Sequence, residues 1–288
     1  MEFNEYQSRA KTTDQRKNNN EELNRLIPLL GLIGEMGSVA SEHKKRLRDG
    51  QSYTTFTEKF TKELGDVLWY VSTLAGDMNI PLEEVARVNL SWTEERWDDL
   101  KNFLPDKLYD EDFPETEKLP REITVEFKQN IEGKIGMFID GTQLGNDLTD
   151  NAYEEDGYRF HDVFHLAFMA ILGWSPVLRK LLDKKRRSVK EIDEVEDGAR
   201  AGIIEEAISV MVYAHAKDHN YYQHISVIDF DLLNTIKGMV RNLEAKNIST
   251  SLWEKALIEG YAVYRELKAK NGGKVYINLT QRTIKFLC

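Results

Sequence analysis

Two stretches of sequence decide the fold of the first half of this chain, GLIGEMGSVASEHKKRLRDG (31–50) and ELGDVLWYVSTLAGDMNIPLEEVARVNL (63–90). In both, apolar residues recur every three or four positions, which is the spacing of an amphipathic helix. The patterns predict one helix over about 21–48 and a second over about 54–77. Pro81 is followed by two glutamates, a combination typical of a helix N-terminus, and it predicts a third helix. We therefore expect an all-α bundle of about four helices.

Composition limits the class of protein. The 288 residues include 39 Lys and Arg against 49 Asp and Glu, a formal net charge of -10. This excludes a generally basic nucleic-acid-binding protein, and we expect no duplex nucleic acid as partner. The single cysteine, Cys288, excludes a disulfide framework and a cysteine-based zinc site, and it fits a reducing compartment. The N-terminus is too polar for a signal peptide and no apolar run approaches a membrane span, so we expect a soluble, cytoplasmic protein without a membrane partner.

The chain is predicted to contain two domains. The stretch LPDKLYDEDFPETEKLPR (104–121) is acidic, rich in proline and without apolar periodicity, which predicts a linker between a helical domain (1–103) and a second domain (122–288). In the second domain, ITVEF and KIGMFIDGTQLG predict two short strands joined by a turn, and KVYINLTQRTIKFL predicts a C-terminal hairpin. Apolar periodic runs between them predict helices. The expected fold class is mainly α, with short β-hairpins in the second domain.

A faint internal repeat connects the two halves. KELGDVLWYVSTLA (62–75) and IEEAISVMVYAHA (204–216) align without gaps, which pairs Glu63 with Glu206 and Asp66 with Ser209. On this interpretation the second domain is a degenerate repeat of the first. The alternative is that two buried helices share an apolar period by chance.

Carboxylates interrupt the apolar pattern of the first half. Glu35 lies within an otherwise apolar helix, and Glu63 and Asp66 lie within the next one. Residues three apart on a helix share a face, so Glu63 and Asp66 point the same way. A partly buried group of carboxylates is costly unless a cation pairs with it. Mg²⁺, which prefers oxygen ligands, is the natural cation, and the alternative is an ordinary solvated acidic helix face.

The two stretches quoted first, together with EYQSRAKTT (5–13), resemble the MazG-type nucleoside triphosphate pyrophosphohydrolases, members of the all-α NTP pyrophosphatase superfamily. The resemblance covers about the first hundred residues. It implies the helical bundle of that superfamily, with four carboxylates in the pattern E-x-x-E and then E-x-x-D that bind Mg²⁺. It also implies hydrolysis of (deoxy)nucleoside triphosphates to a nucleoside monophosphate and pyrophosphate, by a homodimer or higher homo-oligomer.

Carried over onto this chain, three of the four metal positions fall on Glu35, Glu63 and Asp66. The fourth position holds Ser38, whose neutral hydroxyl is a weaker ligand than a carboxylate. Glu42 lies on the same helix face but about 10 Å of helical rise from Glu35, so we expect it to hold a second ion or to act through water. Glu63 is also the residue expected to orient or deprotonate the attacking water. Mg²⁺ is the expected cofactor, with Mn²⁺ as a substitute.

Five further positions are candidates for substrate binding: Lys45, Arg48, Trp69, Asn89 and Arg96. Lys45 and Arg48 neutralise phosphates or, alternatively, offset the dipole at a helix C-terminus. Asn89 and Arg96 match positions where the family often carries polar, phosphate-facing groups, although Trp92 stands where the family often has a lysine. Trp69 either stacks on a base or belongs to the core.

The second half contains its own polar residues within apolar helices. The stretches DNAYEEDGYRFHDVFHLAFMAILGWSPVLRKLLDKKRR (150–187) and EIDEVEDGARAGIIEEAIS (191–209) resemble the C-terminal extension of some MazG-type proteins. They contain a candidate second metal or nucleotide site, whose residues are His161, Asp162, His165, Glu205 and Glu206. The alternative is a buried polar network that pairs the helices. The adjacent His161 and Asp162 also resemble HD-type phosphohydrolases, but the sequence offers no clear partners to complete that site.

These features together predict a Mg²⁺-dependent nucleoside triphosphate pyrophosphohydrolase. The runner-up is a non-catalytic nucleotide sensor, in which Ser38 weakens the chemistry and the second half transmits the bound state. A third interpretation is a helical scaffold whose second half recruits a partner.

Overall fold

The computed structural model describes residues 1–16, 21–97 and 107–287, without the side chains of Glu21, Trp92, Glu95, Arg96 and Trp97. The chain divides into two compact units, Met1–Glu94 and Glu95–Cys288. Among the described residues no helix is both long enough and apolar enough to cross a membrane. The described chain is mainly helical, and its strands all lie in the second unit.

Four α-helices begin among the described residues of the first unit, and the fourth extends past its end at Glu94. They span Phe3–Thr12 (α1), Glu21–Asp49 (α2), Phe56–Asp77 (α3) and Leu82–Trp97 (α4). The predicted ends of α2 and α3 agree with the structure to within two residues. The apolar spacing was therefore sufficient to locate the two helices that carry the acidic residues.

Side-chain hydrogen bonds attach α1 to the turn between α3 and α4. The Gln7 amide donates to the carbonyl of Ile80 and accepts from the N–H of Leu82, each at 3.0 Å. The second bond satisfies one of the N–H groups that have no partner within a helix at its N-terminus. Just beyond α1, Arg16 forms a two-pronged ion pair with Asp77, at 2.8 and 2.9 Å. These contacts join segments far apart in sequence.

A glycine brings α2 and α3 close together. A Cβ atom on Gly31 would lie 2.3 Å from the ring of Tyr70, which is shorter than any non-bonded contact allows. Gly34, one turn further along α2, would meet nothing within 4 Å. Gly31 is therefore required by the close approach of Tyr70, whereas Gly34 has no such packing role.

We expect Gly31→Ala to destabilise the first unit and Gly34→Ala to stabilise it slightly. Overpacking costs about 1–3 kcal/mol, whereas replacing a helical glycine by alanine gains about 0.5–1 kcal/mol. The net loss for Gly31→Ala should be about 1–2 kcal/mol. Urea unfolding followed by circular dichroism measures both variants, and a Gly31→Ala protein as stable as Gly34→Ala would contradict the packing argument.

One side of α2 remains apolar and exposed. Leu30, Ile33 and Met36 are 58%, 67% and 59% exposed. They belong to the set whose spacing predicted the helix, and the described residues leave them exposed. Contiguous exposed apolar surface of this kind is typical of a surface that binds another protein.

The second unit contains a five-stranded antiparallel sheet. Its strands are Glu122–Gln129 (β1), Ile135–Ile139 (β2), Thr142–Leu148 (β3), Gly273–Asn278 (β4) and Thr283–Leu287 (β5). Their order is β3-β2-β1-β4-β5, and Val125 of β1 pairs with Val275 of β4. The predicted C-terminal hairpin is confirmed, but it joins the earlier strands in one sheet. The prediction of two strands before the helices was wrong, because Asp140 and Gly141, both with positive φ, divide the second stretch into two strands.

The helices of the second unit cover this sheet and each other. They span Asp162–Ala167 (α5), Pro176–Leu181 (α6), Lys190–Val195 (α7), Ala199–Asp218 (α8), Phe230–Val240 (α9) and Thr250–Lys270 (α10). A π-helical turn, Phe168–Leu172, continues α5. Side chains from α5, α8, α9, α10 and the central strands form the apolar core, in which Trp174 and Trp253 are almost fully buried.

The described part of the predicted linker packs as part of the second unit. Asp110 and Leu119 are only 1% and 2% exposed. The Asp110 carboxylate accepts the N–H of Leu119 at 2.7 Å, and it pairs with Arg121 at 2.9 Å and with Arg179 at 3.2 Å. Residues 107–121 therefore do not form a solvated connection. The sequence of this stretch resembled a solvated linker because a main partner of Asp110 is not near it in the chain. That partner, Arg179, lies 69 residues away in sequence.

Arg186 is the centre of a second buried ion cluster. Its guanidinium lies 2.7 Å from a carboxylate oxygen of Asp197 and 2.7 Å from one of Glu244, and it donates to the carbonyl of Tyr109 at 3.1 Å. Its backbone N–H also donates to Asp197, at 2.6 Å. A buried arginine is tolerated because each of these charges has a partner.

Replacing Arg186 by methionine should lower the free energy of unfolding by about 3–5 kcal/mol, because it removes the nearest cation from the buried Asp197 and from the partly buried Glu244. Arg187→Met is the matched control, since the neighbouring Arg187 pairs with Asp183 on the surface and such pairs contribute little. Chemical denaturation of the two variants gives the comparison. Equal free energies of unfolding for both variants would show that the buried ion cluster contributes no more to stability than a surface ion pair.

Candidate functional site

The structure brings the three predicted acidic residues of the first unit together. Glu35 of α2 and Glu63 and Asp66 of α3 each offer a carboxylate oxygen, and these oxygens all lie within 4.8 Å of one another. All three residues are half-buried. Glu35 follows Gly31 by one helical turn, and Asp66 precedes Tyr70 by one turn, so the close contact between Gly31 and Tyr70 places the carboxylates across the same helix interface.

The surroundings of this acidic group are mixed in charge. Lys62 lies 3.5 Å from Asp66. Burial raises the pKa of Tyr6, and the negative charge of Asp66 raises it further. Ser38 is half-buried, and because it follows Glu35 by three residues the two share a helix face. The potential ligands are therefore three carboxylates and the hydroxyl of Ser38 on the same helix face as Glu35. All of these donors are oxygen atoms.

Glu42 is separate from this group. It is buried, and its carboxylate accepts hydrogen bonds from Lys45 and Tyr53. The hydrogen bond from Lys45 and then that from Tyr53 lower the pKa of Glu42. Glu42 and Lys45 therefore form an ion pair with each other. Glu42 is not one of the three mutually close carboxylates.

The remaining predicted substrate-binding residues are dispersed. Arg48 is exposed and pairs with Asp49 at 2.7 Å. The indole N–H of Trp69 donates to Thr13 at 2.8 Å and its ring meets Tyr70 edge-on, which agrees with a packing role. Asn89 is exposed on α4, and the side chain of Arg96 lies outside the described part of the structure.

The second unit contains another group of potential ligands. Ring nitrogens of His161 and His165 and a carboxylate oxygen of Glu206 all lie within 4.8 Å of one another. His165 on α5 is fully buried and His161, just before α5, is 9% exposed. Glu206 extends from α8, with its side chain 46% exposed. The spacing of four between the histidines places both on the side of α5 that faces α8.

Glu205 supports His165 from behind. It is completely buried and accepts three hydrogen bonds, from His165 Nδ1 at 2.8 Å, from the Ser175 hydroxyl at 2.6 Å and from the N–H of Val177 at 2.8 Å. Ser175 is also the N-cap of α6, accepting the N–H of Leu178. Glu205 therefore holds α5, α6 and α8 together and orients the His165 ring. The sequence pattern did not identify Ser175, although serine before proline is a recognisable N-cap signal.

His161 is held by the loop that precedes it. Its Nδ1 lies 2.9 Å from the carbonyl of Tyr158, and its ring stacks on the Tyr158 ring at 4.3 Å. The loop itself is closed by Asp150, whose buried carboxylate accepts the N–H groups of Gly157 and Arg159 at 2.9 Å each. Gly157 has a φ of 95°, a conformation that favours glycine.

The other nitrogen of His165 has no hydrogen-bond partner. Nε2 is buried and lies 3.4 Å from Glu206 Oε2, but not in hydrogen-bond geometry. Burial lowers the pKa of His165, but the carboxylates of Glu205 and then Glu206 outweigh this effect and raise the pKa to about 10. Asp162 Oδ1 lies 3.8 Å from His161 Nε2 and is not one of the three mutually close groups. Of the five residues predicted here, His161, His165 and Glu206 therefore converge. Glu205 orients His165, and Asp162 lies next to the group.

We expect Glu205→Gln to destabilise the protein. The amide nitrogen would face the donors of Ser175, His165 or Val177, and each buried donor left without an acceptor costs about 1–3 kcal/mol. The exposed Glu191 of α7 provides the control, because Glu191→Gln changes the same charge without a buried donor. Differential scanning calorimetry measures both, and unchanged unfolding of Glu205→Gln would refute the anchoring role.

A comparison with known protein families finds a match over nearly all of the second unit. The family described as the MazG C-terminal domain matches residues 105–288, which is more than half of the chain. The chain belongs to the MazG C-terminal domain family. This confirms the resemblance of the second half to the extension of MazG-type proteins. The match does not extend over residues 1–103, whose resemblance to the pyrophosphohydrolase domain stays a prediction.

A phage protein is also similar to part of the chain. The Gene 37 protein of Mycobacterium phage L5 is 39% identical over 71 residues, which are 24% of this chain. The chain spans 62% of the length of that relative. No solved structure matches the chain. The membership in the MazG C-terminal domain family therefore rests on the match over 105–288.

Proposed function

We propose that this protein hydrolyses (deoxy)nucleoside triphosphates to nucleoside monophosphate and pyrophosphate with Mg²⁺. The observation that carries the proposal is the convergence of Glu35, Glu63 and Asp66, whose oxygens lie within 4.8 Å of one another on two adjacent helices. Membership in the MazG C-terminal domain family supports a nucleotide-related role for the whole chain.

The three carboxylates fit Mg²⁺ in the chemistry of their donors. Each supplies a carboxylate oxygen, and each is half-buried, so solvent reaches the group. Mg²⁺ prefers oxygen ligands, and it usually keeps waters and substrate phosphates in its coordination shell. Bound Mg²⁺ would neutralise phosphate charge, and Mn²⁺ is the expected substitute.

The chain's own residues have separate tasks in this reaction. A water oxygen adds to the α- or the β-phosphorus and the bridging P–O bond between these two atoms breaks, which gives the monophosphate and pyrophosphate in either case. Glu63 orients the water and accepts its proton. Arg48 pairs with Asp49 on the surface, and because such pairs are weak a triphosphate can take the place of Asp49. Lys45 is held by Glu42 and contributes a positive charge that interacts with Glu63.

Ser38 is the observation that favours the second candidate function. It removes one negative charge and one strong ligand from the pattern implied by the resemblance, and no other carboxylate of the described residues lies within the group of three. A nucleotide sensor would bind a nucleoside triphosphate with Mg²⁺ at the same carboxylates and release no pyrophosphate.

The exposed apolar side of α2 supports the proposal that the protein is a homo-oligomer. Leu30, Ile33 and Met36 lie on the helix that carries Glu35, and their exposure would be costly in an isolated chain. A second copy that covers this side would also limit solvent around the carboxylates.

The test is a pyrophosphate-release assay with a panel of ribo- and deoxyribonucleoside triphosphates, with and without Mg²⁺. We expect Mg²⁺-dependent release that Glu63→Gln lowers by about 10²–10⁴-fold, because this variant loses a ligand and the proton acceptor. Glu58→Gln is the matched control, since Glu58 is exposed on the same helix and outside the carboxylate group.

Two outcomes would decide against hydrolysis at this site. Release that Glu63→Gln leaves unchanged would place the activity elsewhere. No release from any nucleotide, combined with Mg²⁺-dependent nucleotide binding that Glu63→Gln weakens, would establish the sensor instead.

A further inference from the structure

Both histidines of the second group present the same nitrogen to Glu206. Nδ1 of His161 is bound to the carbonyl of Tyr158 and Nδ1 of His165 to the carboxylate of Glu205, so each Nδ1 carries the hydrogen. When a ring of this kind is neutral, its lone pair is on Nε2, which a metal ion can bind in place of a second proton. A carbonyl or carboxylate behind Nδ1 is the usual support of a histidine that binds a metal through its other nitrogen.

The convergence leaves one buried atom unexplained. His165 Nε2 is inaccessible to solvent and makes no hydrogen bond, although it lies 3.4 Å from Glu206 Oε2. Buried polar atoms almost always have a partner. Either a second proton on Nε2 or a metal ion must lie between this nitrogen and the carboxylate oxygen. Because the 3.4 Å contact does not have hydrogen-bond geometry, the arrangement favours a metal ion.

The distances indicate which kind of cation. Bonds of 2.0–2.2 Å to nitrogen and oxygen around a tetrahedral Zn²⁺ place two ligand atoms about 3.3–3.6 Å apart. Adjacent ligands around an octahedral Mg²⁺ lie only about 3.0 Å apart. The separation from His165 Nε2 to Glu206 Oε2, 3.4 Å, fits the tetrahedral case. That from His161 Nε2 is 4.0 Å and would close by about half an ångström on binding.

We propose that His161, His165 and Glu206 form a binding site for one divalent transition-metal ion, with Zn²⁺ the best fit. Imidazole nitrogens are ligands that such ions prefer and Mg²⁺ does not, and the carboxylate oxygen of Glu206 suits them as well. Glu205 and the carbonyl of Tyr158 orient the rings. This site is independent of the all-oxygen group at Glu35, and it goes beyond the proposed hydrolysis.

The site retains a position for a fourth ligand. Three protein ligands with one open position characterise catalytic zinc sites, whereas structural sites have four. The Glu206 side chain is 46% exposed, so solvent reaches the group from that side. Asp162 Oδ1 lies 3.8 Å from His161 Nε2 and is a further carboxylate next to the group.

Cobalt is the probe, because tetrahedral Co²⁺ absorbs visible light much more strongly than octahedral Co²⁺ and so reports the geometry. The full chain, prepared without a histidine tag, is stripped with a chelator, dialysed and titrated with Co²⁺ in excess Mg²⁺. We expect a single ion per chain, strong visible absorption and displacement by Zn²⁺. Elemental analysis of the Zn²⁺ form gives an independent stoichiometry.

Variants identify the ligands. Glu206→Gln and His161→Ala should each weaken Co²⁺ binding by at least about 100-fold, since loss of a ligand should exceed the 10–100-fold effect of losing a supporting residue. Glu63→Gln should bind Co²⁺ as the parent protein does, because it alters only the other carboxylate group. Circular dichroism checks that each variant folds. If His161→Ala does not fold, Co²⁺ binding by Glu206→Gln alone tests the proposal.

Three results would overturn the proposal. They are absence of Co²⁺ and Zn²⁺ binding, a weak octahedral spectrum, and binding that Glu206→Gln does not change. If neither Co²⁺ nor Zn²⁺ binds, His165 is an imidazolium, and the proton on its Nε2 lies between this nitrogen and Glu206 where we propose the metal ion. Loss of pyrophosphate release in Glu63→Gln with Co²⁺ binding intact would show that the two sites are separate.

Discussion

The buried carboxylate of Glu205 imposes the strongest local constraint on the second unit. A carboxylate without solvent is costly by several kcal/mol unless hydrogen bonds replace its water. His165, Ser175 and the N–H of Val177 supply those bonds, all within 2.8 Å. Because these three donors come from α5 and from the start of α6, their positions relative to α8 are fixed by one group. The orientation of the His165 ring, and with it the cluster facing Glu206, depends on this constraint.

The two candidate sites are built in the same way but differ in burial. Each combines side chains from two neighbouring helices, Glu35 with Glu63 and Asp66 in one case and His161 and His165 with Glu206 in the other. The first is half-buried and rests on the helix contact that Gly31 permits. The second is supported by buried hydrogen bonds behind each ring. An open all-oxygen group suits a mobile, hydrated ion with its substrate, whereas a supported His-rich group suits a tightly held ion.

Much of the first unit was accessible from sequence because its signals are local. Helical periodicity located α2 and α3, and a spacing of three placed Glu63 and Asp66 on one face. The approach of Glu35 to that face depends on how α2 packs against α3, which no local pattern specifies. The second unit was less accessible. Its sheet pairs β1 with β4, about 150 residues later, and the acidic stretch 107–121 is ordered by arginines distant in sequence.

The sequence by itself determined the mainly helical class, the ends of the long helices and the residue types able to bind cations, since these follow from periodicity and side-chain chemistry. Only the tertiary structure decided which of those residues meet. It separated Glu42 from the three carboxylates by pairing it with Lys45 and Tyr53. It also separated the neighbours Glu205 and Glu206, since Glu205 is buried and hydrogen-bonded to His165 whereas the half-exposed Glu206 faces the two histidines. The physical reason is that burial and hydrogen bonding depend on atoms brought together from distant parts of the chain.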